Sequence, residues 1–140
     1  TEVPELVASE DWHCWIRVAT DCLPECCPGG GVLLVDHANR TMTVDRWEVA
    51  ERRFAMLTED LLARPAVREF LEPNLALFRA TQDHYVALKA AGQGAVGVSV
   101  VRFLRSVRRF PPLLMTRRTL HLLRLWCRFL FVRLRRSDPG

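Results

Sequence analysis

The sequence predicts a mainly α chain with one short β element, and three observations carry that expectation. Trp47, Ala50, Phe54, Leu57 and Leu61 recur at alternating intervals of three and four until Pro65, which is the period of a helix with one buried face. Val32-Leu33-Leu34-Val35 is a compact, β-prone run between a glycine turn and a polar loop, short enough for a buried strand. From Lys89 to Arg136 every charged side chain is basic, with apolar residues between them at helical spacing.

A chain of 140 residues is about one domain, with enough apolar residues for a core, so disorder is not expected. It opens on Thr1 without a charged-then-apolar leader, which suggests a processed or truncated piece. The net charge of +4 hides an asymmetry: acids are scattered from Glu2 to Asp83, and the last third is almost purely cationic. Such a split points to an anionic partner surface, either lipid or nucleic acid.

In chain order, a short lead-in containing Pro4 is followed by a helix over roughly Glu10 to Thr20. Ser9 is its N-cap candidate, which puts Glu10 and Asp11 in the first turn, where the helix dipole favours negative charge. Trp12, Trp15, Ile16 and Ala19 share one face, expected to pack inward. Pro24 and Pro28-Gly29-Gly30-Gly31 bracket an extended piece near Cys26, then come the strand at Val32–Val35 and the loop Asp36-His37-Ala38-Asn39-Arg40. Asp45 with Glu48 reads as a capping box for the helix that Pro65 stops. Ala66 to Leu71 makes a short helical piece ended by Pro73, and Asn74 to Ala91 a longer amphipathic one with Phe78, Tyr85 and Leu88 inward.

Several chemistries are excluded or weakened by context. Gly92-Gln93-Gly94-Ala95-Val96-Gly97 matches GxGxxG, but a dinucleotide site needs a strand before it, and a helix precedes this one, so it reads as a helix-to-helix joint. Gly29 to Gly31 lacks the Lys-Ser/Thr and helix of a phosphate cradle, and no GxSxG elbow surrounds Ser9, Ser99 or Ser106. The five cysteines (Cys14, Cys22, Cys26, Cys27, Cys127) form no pair of CxxC units. Reduced thiols of a cytosolic protein are expected, with a zinc site on Cys22, Cys26 and a histidine as the alternative.

Leu113 to Leu134 reaches the roughly 20 residues that a bilayer span needs, yet Arg117, Arg118, Arg124, Arg128 and Arg133 argue against a span. Arg117, His121, Arg124, Arg128 and Arg135 share one narrow stripe, and leucine, phenylalanine and Trp126 cover most of the rest. Such a helix suits a membrane interface, with Arg117, Arg124, Arg128 and Trp126 as the membrane-facing residues. Val100 to Phe110 has the same character. Nucleic acid is not the expected partner, because the apolar face is wide and no aromatic residues are interleaved on a sheet.

Pro4-Glu5-Leu6 with Ser9-Glu10-Asp11-Trp12-His13-Cys14-Trp15-Ile16-Arg17-Val18-Ala19 resembles the "sEDwdlwlRla" motif of inverting family-2 glycosyltransferases with the GT-A fold. The loop His37-Ala38-Asn39-Arg40-Thr41-Met42-Thr43 is similar to the same family's histidine-containing ending. The resemblance implies that residues 1–43 are the C-terminal portion of an α/β GT-A catalytic domain. A helical extension (44–92) and basic amphipathic helices (93–140) would follow.

The implied activity is sugar transfer from a nucleotide-diphosphate donor to a glycan or lipid-linked acceptor hydroxyl, with inversion. Asp11 would be the base that takes the acceptor proton, and Glu10 would orient the acceptor or the helix end. Trp12 and Trp15 would line the acceptor site, and His37 would join a divalent metal site, Mg or Mn, that neutralises the leaving diphosphate. Leu34 and Val35 depart from the family's aromatic-Arg pair, and no DxD motif occurs. The chain would therefore hold the acceptor side alone, bind no metal tightly, be inactive by itself and sit on the cytoplasmic face of a membrane. The alternative from a different class is a non-enzymatic helical module that binds an anionic membrane surface.

Overall fold

The computed structural model describes the backbone of residues 10–21 and 46–136 and the side chains of residues 13–21 and 46–131. Six α-helices account for most of that chain: α1 (Glu10–Asp21), α2 (Trp47–Ala63), α3 (Pro65–Leu71), α4 (Leu75–Gly92), α5 (Val96–Arg109) and α6 (Arg117–Arg136). Short 3-10 turns at Glu72–Asn74 and Pro111–Met115 join α3 to α4 and α5 to α6. The described residues divide into two compact units, one of residues 10–21 and 52–73, the other of residues 46–51 and 74–136.

In the first unit α1 lies against α3, and His13 of α1 shares a 2.6 Å hydrogen bond with the Asp60 carboxylate of α2. That hydrogen bond, helped by Arg64, holds Asp60 below its ordinary value against the opposing effect of burial. Pro65 opens α3 at a position where a missing N–H costs nothing. Arg68 then closes the corner by donating twice to the Leu62 carbonyl, at 2.9 and 2.7 Å. Among the described residues of this unit, Leu57, Leu61, Val67 and Leu71 are buried apolar side chains.

The second unit is built on α4, which packs against both α5 and α6. Alanine at 87 and 91 keeps the α4 surface low, so that Phe103 of α5 and Leu122 of α6 reach it and close a core with Leu88, Val107, Leu125 and Trp126. Burying a side chain as large as Leu122 or Phe103 is worth about 2–3 kcal/mol. The α4–α5 joint turns on Gly94, whose φ of +79° is one that other residues seldom adopt. A Cβ there would also lie 3.2 Å from the Phe129 ring, so glycine admits both the turn and the approach of α6. The first turn of α2 is tied to the same joint, Trp47 N–H donating to Gln93 Oε1 at 3.1 Å.

At the other end, Pro111 and Pro112 cannot extend α5, and the chain re-enters α-helix at Arg117 after an extended Thr116. The Thr116 hydroxyl accepts from the Thr119 N–H at 3.3 Å, while both Thr116 and Thr119 donate to the Leu113 carbonyl at 2.8 and 2.6 Å. These bonds anchor the start of α6.

This architecture corrects the expected α/β GT-A domain. Among the described residues there is no strand, and the buried core is formed by helix packing on helix, which leaves no parallel sheet to carry such a domain. The run Val32–Val35 lies outside the described residues. Trp15 is corrected as well: its side chain is 70 % exposed, and the inward contact of α1 is made instead by His13 through Asp60. The third correction is Trp126, which points into the bundle because its N–H has a partner there.

Candidate functional site

The residues that stand out chemically sit on α4, α5 and α6. On α6, apolar residues fall into two sets that the sequence alone does not separate. Leu122, fully buried, shares the inner face with Thr119, Leu125 and Trp126. Leu120 (57 % exposed), Leu123, Leu130 and Phe131 (69 % exposed) occupy the outer face. At 3.6 residues per turn those outer side chains form a stripe alongside Arg117, Arg124 and Arg128, which are also exposed. No described carboxylate pairs with any of the three, and no acidic residue occurs between Asp83 and Arg136. The outer face of α5 repeats the pattern on a smaller scale, with Val101 and Leu104 beside Arg105 and Arg108. Leu114 and Met115, in the turn between these helices, are exposed too.

Behind this face lies a polar cluster that fixes α5 on α4. Asp83 is almost fully buried and receives Arg102 at 3.0 Å and a second, short contact from Arg109. Arg102 also reaches Glu51 near the start of α2. Burial pushes the Asp83 carboxyl up, opposed by the Arg109 and Arg105 charges. Next to it, His84 is buried without a hydrogen bond of normal geometry at either ring nitrogen. Burial holds this imidazole below its ordinary value; the Arg118 backbone offsets part of that effect and the Arg118 charge adds to it.

The residues singled out from the sequence are distributed as follows. Glu10, Asp11 and Trp12 begin α1, and their side chains lie outside the described residues. Trp15 is on the exposed side of the same helix, and His37 lies outside the described residues. Arg117, Arg124 and Arg128 are brought together on one exposed face, whereas Trp126 lies on the opposite one, its ring edge-on to Phe103 with centroids 5.5 Å apart. Gly92 to Gly97 is indeed a helix-to-helix joint. Among the described residues no group of histidine, cysteine or carboxylate side chains is arranged to hold a metal ion. Nor is any described helix long and apolar enough to cross a membrane. Asp83, His84, Arg102 and Arg109 escaped sequence reasoning; the one signal for them was an Asp-His pair on the buried side of an amphipathic helix.

Comparison of the chain with family models, with curated proteins and with solved structures finds no match in any of the three.

Proposed function

We propose that this chain is a helical module that docks on an anionic membrane surface through the outer face of α6. The observation that carries the reading is the pairing of two stripes on one helix: Leu120, Leu123, Leu130 and Phe131 exposed to water, and Arg117, Arg124 and Arg128 beside them. An apolar stripe of this kind gains by sinking to the boundary between headgroups and acyl chains, while arginines on its flank meet lipid phosphates without leaving water. The lack of any acidic residue from His84 to Arg136 gives the whole surface one sign. A peripheral position on the anionic cytoplasmic leaflet suits that charge.

The sugar-transfer reading draws on residues 1–43, of which the described part is α1, whose first turn holds Glu10 and Asp11. An acid-led amphipathic helix is common to many globular chains, so this feature by itself does not favour catalysis.

Flotation with vesicles tests the membrane reading. Binding is expected to vesicles of phosphatidylcholine with phosphatidylserine and not to phosphatidylcholine alone. At about 1 kcal/mol per arginine near the surface, the double variant R124Q/R128Q should bind roughly thirtyfold more weakly. Equal binding to both kinds of vesicle, or no loss in the double variant, would sink the reading.

A further inference from the structure

His84 sits where α4, α5 and α6 meet, with 1 % of its surface exposed. Its ring meets the edge of Phe103 from α5, centroids 5.8 Å apart at 71°. From α6 the Arg118 backbone favours the charged ring, and the Arg118 side-chain charge opposes it. On its own helix the neighbouring carboxylate, Asp83, is already occupied by Arg102 and Arg109 of α5. An imidazolium formed here would therefore have no free anion to pair with and no water to solvate it, and cations would surround it on two helices.

The three helices are not equally able to yield. Alpha-5 is joined to α4 by a three-residue turn, by the Asp83 ion pairs and by the Ser99 hydroxyl, which donates to the Ala87 carbonyl at 2.8 Å. Among the described residues, α6 is held on the bundle by Leu122, Leu125 and Trp126, by its Leu113 anchor and by the hydrogen bond from Trp126 to Ser99. Lifting α6 is then the least costly way to let water reach the ring, and it uncovers Leu122, Leu125 and Trp126.

Resting on the membrane reading above, we propose that His84 is an acid-sensitive latch: protonation releases α6 from α4 and adds its inner apolar face to the lipid-binding stripe. The sign follows from linkage. The released state takes up the proton near the ordinary histidine value of about 6.5, and the packed state does so only at lower pH. Packing is thus fully favoured above that value and is lost as pH falls below it, by up to tenfold in the equilibrium per pH unit.

The test has a lipid-free arm and a vesicle arm. Amide hydrogen exchange over residues 117–131, corrected for the intrinsic rate, is followed from pH 7.5 to 5.0 in the wild-type chain, H84Q, H84F and H121Q. Opening is expected to rise up to tenfold per pH unit below about 6.5 in the wild type and in H121Q, and to stay level in whichever His84 variants fold. A level wild-type profile, an unchanged slope in both His84 variants, or a slope abolished by H121Q would overturn the latch. In the second arm, flotation with phosphatidylserine-containing vesicles is expected to strengthen on acidification in the wild type and in H121Q, and not in the His84 variants. Acid-dependent exchange with no vesicle binding at any pH would support the latch while overturning the membrane reading and the lipid role given to it here.

Discussion

The indole N–H of Trp126 donates to the Ser99 hydroxyl at 2.9 Å, and that hydroxyl donates in turn to the Ala87 carbonyl at 2.8 Å. One serine thus joins α6, α5 and α4. Its removal in S99A leaves the indole N–H facing an apolar wall. The expected loss is about 1–3 kcal/mol, seen as a lower denaturant midpoint at an unchanged slope. W126F, which removes the donor and keeps a ring against Phe103, should cost less.

Asp83 is the counterion of two arginines that reach it from α5, 19 and 26 residues further along the chain. D83N leaves Arg109 without its carboxylate and Arg102 with Glu51 alone, and breaking such a pair from one side costs about 3 kcal/mol, near the low end of the usual range because Arg109 is partly solvated and Arg102 keeps a partner. Chemical unfolding should therefore show D83N well below wild type, and combining it with R102M and R109M should recover part of the loss. A D83N chain as stable as wild type would mean that the cluster contributes nothing to the bundle.

Residues on the two faces of α6 should separate stability from binding. L122A empties a fully buried site between Ala87, Ala91 and Phe103 and is expected to cost about 3 kcal/mol. L120A and L123A, on the exposed side, should change stability by no more than about 0.5 kcal/mol and yet reduce vesicle binding. Circular dichroism melts and flotation on the same three variants check both halves.

The pairing of α1 with α2 should fail in acid. Asp60 is held below its ordinary value by His13, so its contribution is complete above the unfolded carboxylate value and disappears as pH falls through the folded one. Exchange protection across Glu10–Asp21 is expected to hold near neutrality down to about pH 4 and to be lost beneath it. D60N should show reduced protection at neutral pH already.

Helix content was legible because it is written in short-range spacing. The repeat from Trp47 to Leu61, with Pro65 behind it, corresponds to α2, and Ala50, Leu57 and Leu61 of that repeat are buried. The joint at Gly92–Gly97 was legible for the same reason, although α5 begins at Val96, earlier than the expected Val100. Valines and a glycine are weak helix formers, and tertiary contacts made by Ser99 outweigh that preference.

What the spacing could not reveal was which apolar residues of a doubly apolar helix face the protein. Trp126 and Leu120 look alike on a wheel, and the difference lies in Ser99, 27 residues from Trp126. The Asp83–Arg102–Arg109 cluster is hidden for the same reason, since its partners meet only after α5 folds back on α4. The GT-A expectation came from a motif resemblance in the first 43 residues, and a motif of that length does not constrain the architecture of the helices after it.

The adjacent stripes on α6 also govern how copies of the chain behave toward one another in the absence of lipid. Exposed Leu120, Leu130 and Phe131 invite self-association, and the arginines beside them hold copies apart by mutual repulsion. That repulsion is long-ranged in dilute buffer and shrinks to about 3 Å at 1 M salt, whereas apolar attraction does not weaken. The chain is therefore best kept dispersed at low ionic strength, and concentrated salt, which loosens most contacts between charged proteins, would here bring copies together.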